Sequence, residues 1–275
     1  MSPVLPGSEP LFVERWGEQG PSVVFLHGIG GSSRYWLGVA AASDGYRGIA
    51  PDLLGFGRSP RPDDPNYDVA DHLDRLEPLV PPGSVLVAHS TGAVLAAALA
   101  VRRPDLVSSL LLIGAPLYAD VSEARREMGR LGFLARVTAS GEVLGRLAML
   151  VLHTLVQPVS TRLPLGLPRA VVEDFWKHSW RSYSRTLRRV VVEHPAVPDL
   201  ERLTVPCALL YGEQDQSASR TALPALLERH DLLSHVEVAG GTHHLPARQP
   251  DLIAEVLRRV LAESGRYGGS PAEAG

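Results

Sequence analysis

The chain has 275 residues, of which 45% are hydrophobic and 21% charged, so it can build a sizeable core and is too apolar for a disordered protein. Its 27 basic and 30 acidic residues give a formal net charge of −3, which argues against a strongly basic nucleic-acid-binding protein. A single cysteine, Cys207, excludes an internal disulfide and a cysteine-rich metal site. Because Cys207 falls within a predicted buried strand, we expect its thiol to be inert.

The N-terminal sequence MSPVLPGSEPLFVERWG lacks the charged segment and apolar stretch of a signal peptide. The longest apolar run, over 85–101, contains polar residues and is too short to span a bilayer comfortably. We therefore expect a cytoplasmic protein without membrane insertion, and the sequence leaves the oligomeric state open.

Six short apolar segments each run into a turn of glycine or polar residues. In chain order they cover 22–26, 47–50, 84–87, 107–113, 205–211 and 236–238. Apolar strands that alternate with helical patterns predict an α/β fold with a mainly parallel, doubly wound sheet. In such sheets the site lies at the carboxyl ends of the strands, which is where these polar turns fall.

The alternation stops after the fourth segment, where helical patterns over 121–138, 141–156 and 169–192 follow one another without a strand. This pattern predicts a helical cap inserted into the sheet-forming core. The predicted boundaries are 1–116 and 198–263 for the core, 117–197 for the cap and 264–275 for a flexible tail.

The predicted cap differs from the rest of the chain in charge. It holds twelve basic and seven acidic residues, so it carries +5, and the remaining chain carries −8. One interpretation is that the cap prefers a substrate with an anionic group or an acidic carrier. The alternative is that its arginines only solvate the outer faces of the cap helices.

Ser90 stands between an apolar strand and a helix of small residues, in the segment AHSTGA. A nucleophile elbow needs this arrangement, because the turn is tight and its neighbours must be small. The first position of the usual G-x-S-x-G pattern is Ala88 here. Alternatively, Ser90 only caps the helix that follows it.

The glycine-rich segment over 27–32, HGIGGS, follows the first predicted strand. The backbone N–H groups of Ile29 and Thr91 are candidate donors of a two-donor oxyanion hole. A phosphate-binding loop is disfavoured, because the segment has neither G-x-G-x-x-G nor a Lys-Ser/Thr pair. We expect His27 to brace this loop through a side-chain hydrogen bond.

Two further polar segments, GEQD at 212–215 and GGTHH at 240–244, follow the last two predicted strands. A serine nucleophile needs a histidine base, and that base needs a carboxylate that fixes its tautomer. Asp215 and one of the histidines His243 and His244 supply these groups in the order Ser, Asp, His. Glu213 is a minor rival for the carboxylate role.

Five segments in this order, HGIGGSSRYW, DLLGFGRS, AHSTGA, YGEQD and GTHHLPARQP, resemble the α/β-hydrolase superfamily, specifically its capped esterase, lactonase and haloperoxidase-like branch. The resemblance implies Ser90 as nucleophile, Asp215 as acid and His243 as base. His243 is preferred to His244 because the family spacing from histidine to proline fits Pro250. The chain departs from the family at Ala88, which replaces a glycine, and at Arg248, which replaces a frequent glutamate.

The resemblance also implies the reaction. Haloalkane dehalogenases and epoxide hydrolases of this superfamily use an aspartate nucleophile, so a serine favours acyl chemistry on a small-molecule ester, lactone or thioester. No metal and no cofactor is expected. The alternatives are hydrolysis of a carbon–carbon bond, a cofactor-free lyase or perhydrolase-type activity, and a non-catalytic ligand-binding homologue.

The substrate pocket is the least constrained part of the prediction. Trp176, Trp180 and Tyr183 have helical spacing, which fits either an aromatic pocket wall or packing inside the cap. The full set of predicted pocket residues is Gly28, Trp36, His89, Met149, Trp176, Trp180, Tyr183 and His244.

Overall fold

The computed structural model describes residues 9–63, 65–130, 142–163, 166–217 and 222–267 and contains a seven-stranded sheet. The strands are β1 Val13–Trp16, β2 Ser22–Leu26, β3 Arg47–Pro51, β4 Ser84–His89, β5 Val107–Ile113, β6 Cys207–Gly212 and β7 Leu233–Val238. Their order across the sheet is β1-β3-β2-β4-β5-β6-β7, in which β1 pairs with β3 antiparallel and every other pair is parallel. The predicted mainly parallel α/β sheet is confirmed.

Helices cover both faces of this sheet. They are α1 Leu37–Ala42, α2 Val69–Leu76, α3 Thr91–Arg102, α4 Val121–Arg130, α5 Glu142–Val151, α6 Gln157–Ser160, α7 Arg169–Phe175, α8 Trp180–Thr186, α9 Val197–Leu200, α10 Ala222–Leu227, α11 Leu245–Arg248 and α12 Pro250–Tyr267. Short 3₁₀ turns occupy Ser33–Trp36 and Glu77–Leu79, and π-helical turns occupy Leu152–Val156 and Leu187–Val192.

The strands differ from the sequence prediction mainly at the two edges of the sheet. Strand β1 was not predicted, because its four residues VERW are short and mostly half-buried. Strand β6 begins at Cys207, two residues late, because Pro206 has no N–H to donate to a neighbouring strand. Strand β7 begins earlier than predicted, at Leu233, where edge residues are largely exposed and the apolar signal is weak.

The middle of the sheet is buried on both of its faces. All five residues of β2 and all six of β4 are buried, as expected for a parallel sheet covered by helices on both sides. This packing fixes the carboxyl ends of β2, β4 and β5, from which the candidate site is built. No helix in the described ranges is long and apolar enough to cross a membrane.

Helices α4 to α9 connect β5 to β6, in the part of the chain for which the sequence predicts a cap. The pattern predicted over 169–192 is interrupted, because Ser179 starts a new helix through a capping box with Ser182. Residues 131–138 of the first predicted cap helix lie outside the described residues. The boundaries 117–197 remain a prediction.

The predicted flexible tail, 264–275, overlaps the end of helix α12. That helix covers Pro250–Tyr267, and the Ser264 hydroxyl lies 2.6 Å from the hydroxyl of Ser109 in β5. Residues 268–275 lie outside the described residues, and the flexible tail stays a prediction.

His72 in α2 gives the fold a defined pH sensitivity. Burial lowers the pKa of His72 to about 3, and its Nε2 lies 3.3 Å from Thr186 Oγ1 in α8. In the unfolded chain histidine titrates near pH ~6.5, so the unfolded state binds more protons below that pH and acidification favours unfolding. Between about pH 7 and pH 5 this should cost about 2 kcal/mol of stability.

When the pH falls from about 7 to about 5, the free energy of unfolding should therefore decrease in both proteins. We expect this decrease to be about 2 kcal/mol smaller in the His72→Leu variant than in the parent protein. Urea unfolding at both pH values measures this difference. Thr186→Val is the matched control, because it removes the partner hydroxyl and keeps the titrating group. An unchanged pH dependence in His72→Leu would contradict the assignment.

Candidate active site

Ser90 occupies a strained turn between β4 and α3. Its backbone has φ 53° and ψ −120°, a left-handed conformation that side chains rarely adopt. Its N–H donates to the Ile113 carbonyl at 3.0 Å, which ties the turn to the end of β5. Its side chain makes no capping hydrogen bond and is half-buried, so the structure does not support the helix-cap alternative.

Asp215 and His243 form a hydrogen-bonded pair on the loops after β6 and β7. His243 Nδ1 lies 3.0 Å from each carboxylate oxygen of Asp215, and the Asp215 side chain is only 2% exposed whereas His243 is 33% exposed. Burial alone would raise the pKa of Asp215, but hydrogen bonds from His243 and Ser217 lower it. An ionised Asp215 therefore holds Nδ1 as the protonated nitrogen and leaves Nε2 as the acceptor.

Gly114, directly after β5, makes room for this pair. Its φ is +56°, and a Cβ at this position would lie 2.9 Å from Asp215 Oδ2 and 3.0 Å from His243 Nδ1. Gly114 is not among the residues predicted for the site, although a glycine immediately after a buried strand is a signal for such a close approach.

His89 connects the turn at Ser90 to His243, the candidate base. Its Nε2 donates to the His243 carbonyl at 2.8 Å, and the two imidazole rings lie 4.7 Å apart. On the other side of the elbow, a Cβ on Gly28 would lie 3.0 Å from Ser90 Cβ. The loops after β2, β4 and β7 therefore converge at Ser90. His89 is buried in this junction, although the sequence analysis predicted it as a pocket residue.

The candidate oxyanion loop is braced by His27, as the sequence predicts. His27 Nδ1 donates to the Gly28 carbonyl at 2.7 Å, and its Nε2 accepts from the Leu53 N–H at 2.9 Å. Burial lowers the pKa of His27, which matches this neutral tautomer. Ile29 follows Gly28 in the braced loop, and Thr91 begins α3, where the first backbone N–H groups have no acceptor inside the helix.

The second histidine of the pair, His244, points to a different partner. Its Nδ1 lies 3.3 Å from the hydroxyl of Tyr35, whose ring stacks on His89 at 4.8 Å. Burial, together with the neighbouring His243, lowers the pKa of His244 to about 4. The geometry therefore favours His243 over His244 as the base. Sequence reasoning missed Tyr35, because nothing in the segment SRYW indicates a contact with residues 89 and 244.

The predicted pocket changes most on the cap side. Trp36 is completely buried in the core, 5.4 Å from the Phe25 ring, so the structure favours core packing over a place in the pocket wall. Phe175 takes the position over the oxyanion loop instead, because a Cβ on Gly30 would lie 2.7 Å from its ring.

The remaining predicted pocket residues pack within the cap. The indole N–H of Trp176 donates to Ser160 at 2.9 Å, Trp180 lies against Gly145, and Met149 and Tyr183 are buried. The structure therefore favours cap packing over an aromatic pocket wall for this group. Phe175 had been overlooked although it immediately precedes Trp176 in the sequence.

Asp174, beside Phe175, fastens the cap to the oxyanion loop. Its carboxylate accepts from the Ser32 hydroxyl and from Arg34 Nε at 2.7 Å, and Lys177 Nζ lies 2.7 Å away. Burial alone would raise the pKa of Asp174, but these hydrogen bonds lower it well below its usual range. Ser32 and Arg34 follow the loop directly, so this cluster links the cap to the segment that carries Ile29.

We expect Asp174→Asn to reduce the free energy of unfolding by about 2 kcal/mol, because it removes the charge of the buried carboxylate and leaves Arg34 with only the more distant Glu173 as an anionic partner. We also expect ester turnover to fall about tenfold at a temperature where both proteins are folded, because the loop is less well fixed. Urea unfolding and steady-state kinetics measure the two effects. Glu173→Gln is the control, since the Glu173 side chain is 38% exposed and lies farther from Arg34, at 3.6 Å. Equal losses in both variants would refute the role of Asp174.

Three arginines of the predicted cap contact residues of the predicted core. Arg181 lies 2.7 Å from Asp63, Arg185 donates to the Pro65 carbonyl at 2.8 Å, and Arg189 lies 4.0 Å from Asp68. These contacts favour the interpretation that the charge difference helps the cap to sit on the core, rather than selecting an anionic substrate.

Two other predictions concern groups near the site. The Glu213 carboxylate accepts from the Gly240 N–H at 2.8 Å, which leaves Asp215 as the partner of His243. Cys207 is buried, and burial raises the pKa of its thiol, in agreement with an inert side chain.

Across the described ranges, no group of three or more His, Cys, Asp or Glu residues is arranged to hold a metal ion.

Comparison with known proteins gives a family match over most of the chain. A model of the alpha/beta hydrolase family matches residues 23–256. The chain is 36% identical over 228 residues to the probable lysophospholipase BODYGUARD 2 of Arabidopsis thaliana, with 71% of this chain and 48% of the relative covered. It is 38% identical over 122 residues to an epoxide hydrolase of Caballeronia sordidicola, with 40% of this chain and 37% of the relative covered. The chain spans about half the length of the BODYGUARD proteins that it matches.

Solved structures show the same fold. E-2-(acetamidomethylene)succinate hydrolase superposes with a TM-score of 0.69 at 25% identity, covering 92% of this chain and 95% of that chain. A haloalkane dehalogenase, the DbeA-M1 loop variant from Bradyrhizobium elkanii, superposes with a TM-score of 0.72 at 23% identity, covering 93% of each chain. These similarities support the fold, and the chemistry has to be argued from the site.

Proposed function

Because the chain belongs to the alpha/beta hydrolase family, we propose that it is a serine hydrolase that cleaves a carboxylic ester, lactone or thioester through an acyl-enzyme on Ser90. The observation that carries this proposal is the strained elbow at Ser90, joined through His89 to a histidine that is bound to a buried carboxylate. An enzyme needs these three groups to turn a weak hydroxyl nucleophile into an effective one.

In the first half of the reaction, Ser90 Oγ attacks the carbonyl carbon while His243 Nε2 takes its proton. The carbonyl oxygen becomes an oxyanion, and the backbone N–H groups of Ile29 and Thr91 stabilise it. When the tetrahedral intermediate collapses, the bond to the leaving group breaks and His243 returns the proton to the departing alcohol or thiol. The acyl group then remains on Ser90.

In the second half, His243 removes a proton from water, whose oxygen attacks the acyl carbon. The second tetrahedral intermediate releases the carboxylic acid, and Ser90 recovers its proton from His243. Asp215 stabilises the imidazolium in both halves without accepting a proton, as its lowered pKa requires. The proposed reaction requires no metal or cofactor.

The similar proteins differ in how strongly they support an ester as the substrate. The similarity to probable lysophospholipases supports cleavage of a carboxylic ester in an amphiphilic molecule, whereas the similarity to an epoxide hydrolase covers only 40% of this chain. The serine at the elbow argues against epoxide and haloalkane substrates, because superfamily members that act on them use an aspartate there. Hydrolysis of a carbon–carbon bond remains the closest alternative, since the same three groups can serve it.

The proposed function is tested with a substrate panel. Acyl esters of varied chain length, lactones and thioesters are compared with an epoxide, a 1-haloalkane and a β-diketone in steady-state kinetics, with Ser90→Ala as the control. We expect turnover of the acyl substrates that disappears in Ser90→Ala. Turnover confined to the epoxide, the haloalkane or the diketone would contradict the proposal, as would the absence of any turnover.

A further inference from the structure

The helical stretch 142–160, made of α5, the π-helical turn and α6, packs one of its faces on the rest of the cap. Gly145 lies against the Trp180 ring, Met149 is buried, and the Ser160 hydroxyl accepts from the Trp176 indole. This inner face accounts for one apolar side of the stretch. A helix that is part of a monomeric protein usually has a polar face opposite.

The opposite side is apolar as well. Six large apolar side chains there are 43–69% exposed, and they make up six of the nine exposed large hydrophobic residues in the part of the chain that the structure describes. We call them the outer cap face: Leu147, Leu150, Val151, Leu155, Val159 and Leu163. Leu147, Val151, Leu155 and Val159 recur every four residues along the helical stretch, and Leu163 follows in the turn after it. Such a concentration of exposed apolar surface indicates an interaction site.

The segment that carries the outer cap face is basic. Between residues 143 and 172 the sequence contains no Asp or Glu, whereas it contains Arg146, Arg162, Arg169 and one histidine. Arg162 is exposed, and Arg169 is 78% exposed while it pairs with Glu173 at 2.9 Å. An apolar stripe that is flanked by an excess of arginines complements an anionic, apolar surface.

We propose that the outer cap face docks the protein on the surface of an anionic lipid bilayer. In this arrangement the leucine and valine side chains enter the boundary between headgroups and acyl chains, while the arginines contact the anionic headgroups. The binding is peripheral and agrees with the absence of a membrane-spanning helix in the described ranges.

A second copy of the chain fits the outer cap face less well than a lipid surface does. A symmetric contact would place the same patch of each copy against the other and would bring the arginines of both copies together. Like charges at an interface are unfavourable, and no acidic residue in this segment offsets them. The bilayer supplies both the apolar layer and the opposite charge.

Docking would place the catalytic site beside the lipid. The inner side of the cap reaches the oxyanion loop through Phe175, which packs on Gly30. This consequence rests on the proposed function: the substrate would be an amphiphilic acyl ester that is presented at the bilayer surface. The docking itself does not depend on catalysis.

The experiment is vesicle flotation of the full chain. Vesicles of phosphatidylcholine with an equal amount of phosphatidylglycerol are compared with vesicles of phosphatidylcholine alone. We expect binding to the anionic vesicles at least about tenfold stronger than to the neutral ones, and weakened by high salt. The double variant Leu150→Gln/Leu155→Gln should lower binding by about tenfold or more, and Arg162→Gln/Arg169→Gln should lower it several-fold.

The control variant Leu37→Gln/Val236→Gln changes two exposed apolar residues outside the cap and should bind like the parent protein. Unchanged thermal unfolding and unchanged turnover of a soluble ester would show that the variants are folded. Ser90→Ala should bind vesicles normally, so failure of the docking proposal and failure of the proposed function can be told apart.

Three results would overturn the proposal. The first is no binding to anionic vesicles, and the second is equal loss in the outer-face and control variants. The third is a dimer in light scattering that Leu150→Gln/Leu155→Gln dissociates, which would make a second copy the occupant of this face.

Discussion

Replacing Ser90 by alanine is expected to lower kcat for ester hydrolysis by roughly 10⁴-fold or more, with KM nearly unchanged. The reason is that, in the proposed reaction, Ser90 supplies the oxygen that forms the acyl bond, whereas substrate binding depends on other groups. Steady-state kinetics on the best ester of the panel measures the loss. Ser234→Ala, which alters an exposed serine of β7, is the matched control and should keep full activity.

The variant Ser90→Gly distinguishes the effect of Ser90 on activity from its effect on stability. Glycine tolerates the left-handed backbone of the elbow, so we expect this variant to be about as inactive as Ser90→Ala and about 1 kcal/mol more stable than the parent protein. Chemical unfolding of both variants measures the difference. A Ser90→Ala variant with near-normal turnover would show that another residue is the nucleophile.

The second large effect is expected for Asp215→Asn, which should lower kcat by roughly 10³- to 10⁴-fold. An asparagine amide cannot hold Nδ1 as the protonated nitrogen and cannot stabilise the imidazolium, so His243 Nε2 would no longer accept the Ser90 proton. The pH–rate profile of the residual activity should also change, whereas a purely structural defect would lower the rate at every pH alike.

Glu213→Gln is the matched control for Asp215→Asn. It changes the neighbouring carboxylate, whose contact is the Gly240 N–H, and should keep turnover within about twofold. If both substitutions reduced kcat equally, the carboxylate assignment would be wrong. If only Glu213→Gln did so, Glu213 would replace Asp215 as the acid.

The parts of the fold that the sequence predicted are those with a strong local signal. Strands β2 and β5 are largely apolar runs with a glycine within two residues of their ends, and the structure places them over the predicted residues 22–26 and 107–113. Strand β1 and the start of β7 have weak signals because they lie at the edges of the sheet, where burial is incomplete.

The residues of the candidate site also differ in how strongly the sequence indicates them. Ser90, Asp215 and His243 each follow a predicted strand, so the sheet topology indicates their proximity before any coordinates are known. Tyr35, Asp174 and Phe175 carry no such signal. Asp174 contacts Arg34 across 140 positions of sequence, and a single sequence does not record which cap helix packs over which loop.

Trp36 is a residue for which the sequence pattern fits two different environments. A large aromatic residue near a glycine-rich loop fits a pocket wall and a buried core residue equally well as far as sequence is concerned. The structure decides for the core, because the short 3₁₀ turn over Ser33–Trp36 directs the ring onto Phe25 in the sheet. Phe175, which does contact the loop, belongs to a helix whose docking depends on the buried Asp174 carboxylate.

The central claim is that the substrate's acyl group becomes bound to Ser90 Oγ, and mass spectrometry of the trapped intermediate tests it most directly. The protein is mixed with an activated acyl ester, quenched in acid within the first turnover and digested. We predict one added acyl mass on the peptide that contains Ser90, no such mass in Ser90→Ala, and slower formation in Asp215→Asn. Turnover without any acyl-enzyme, or an acyl or alkyl group on another residue, would contradict the account.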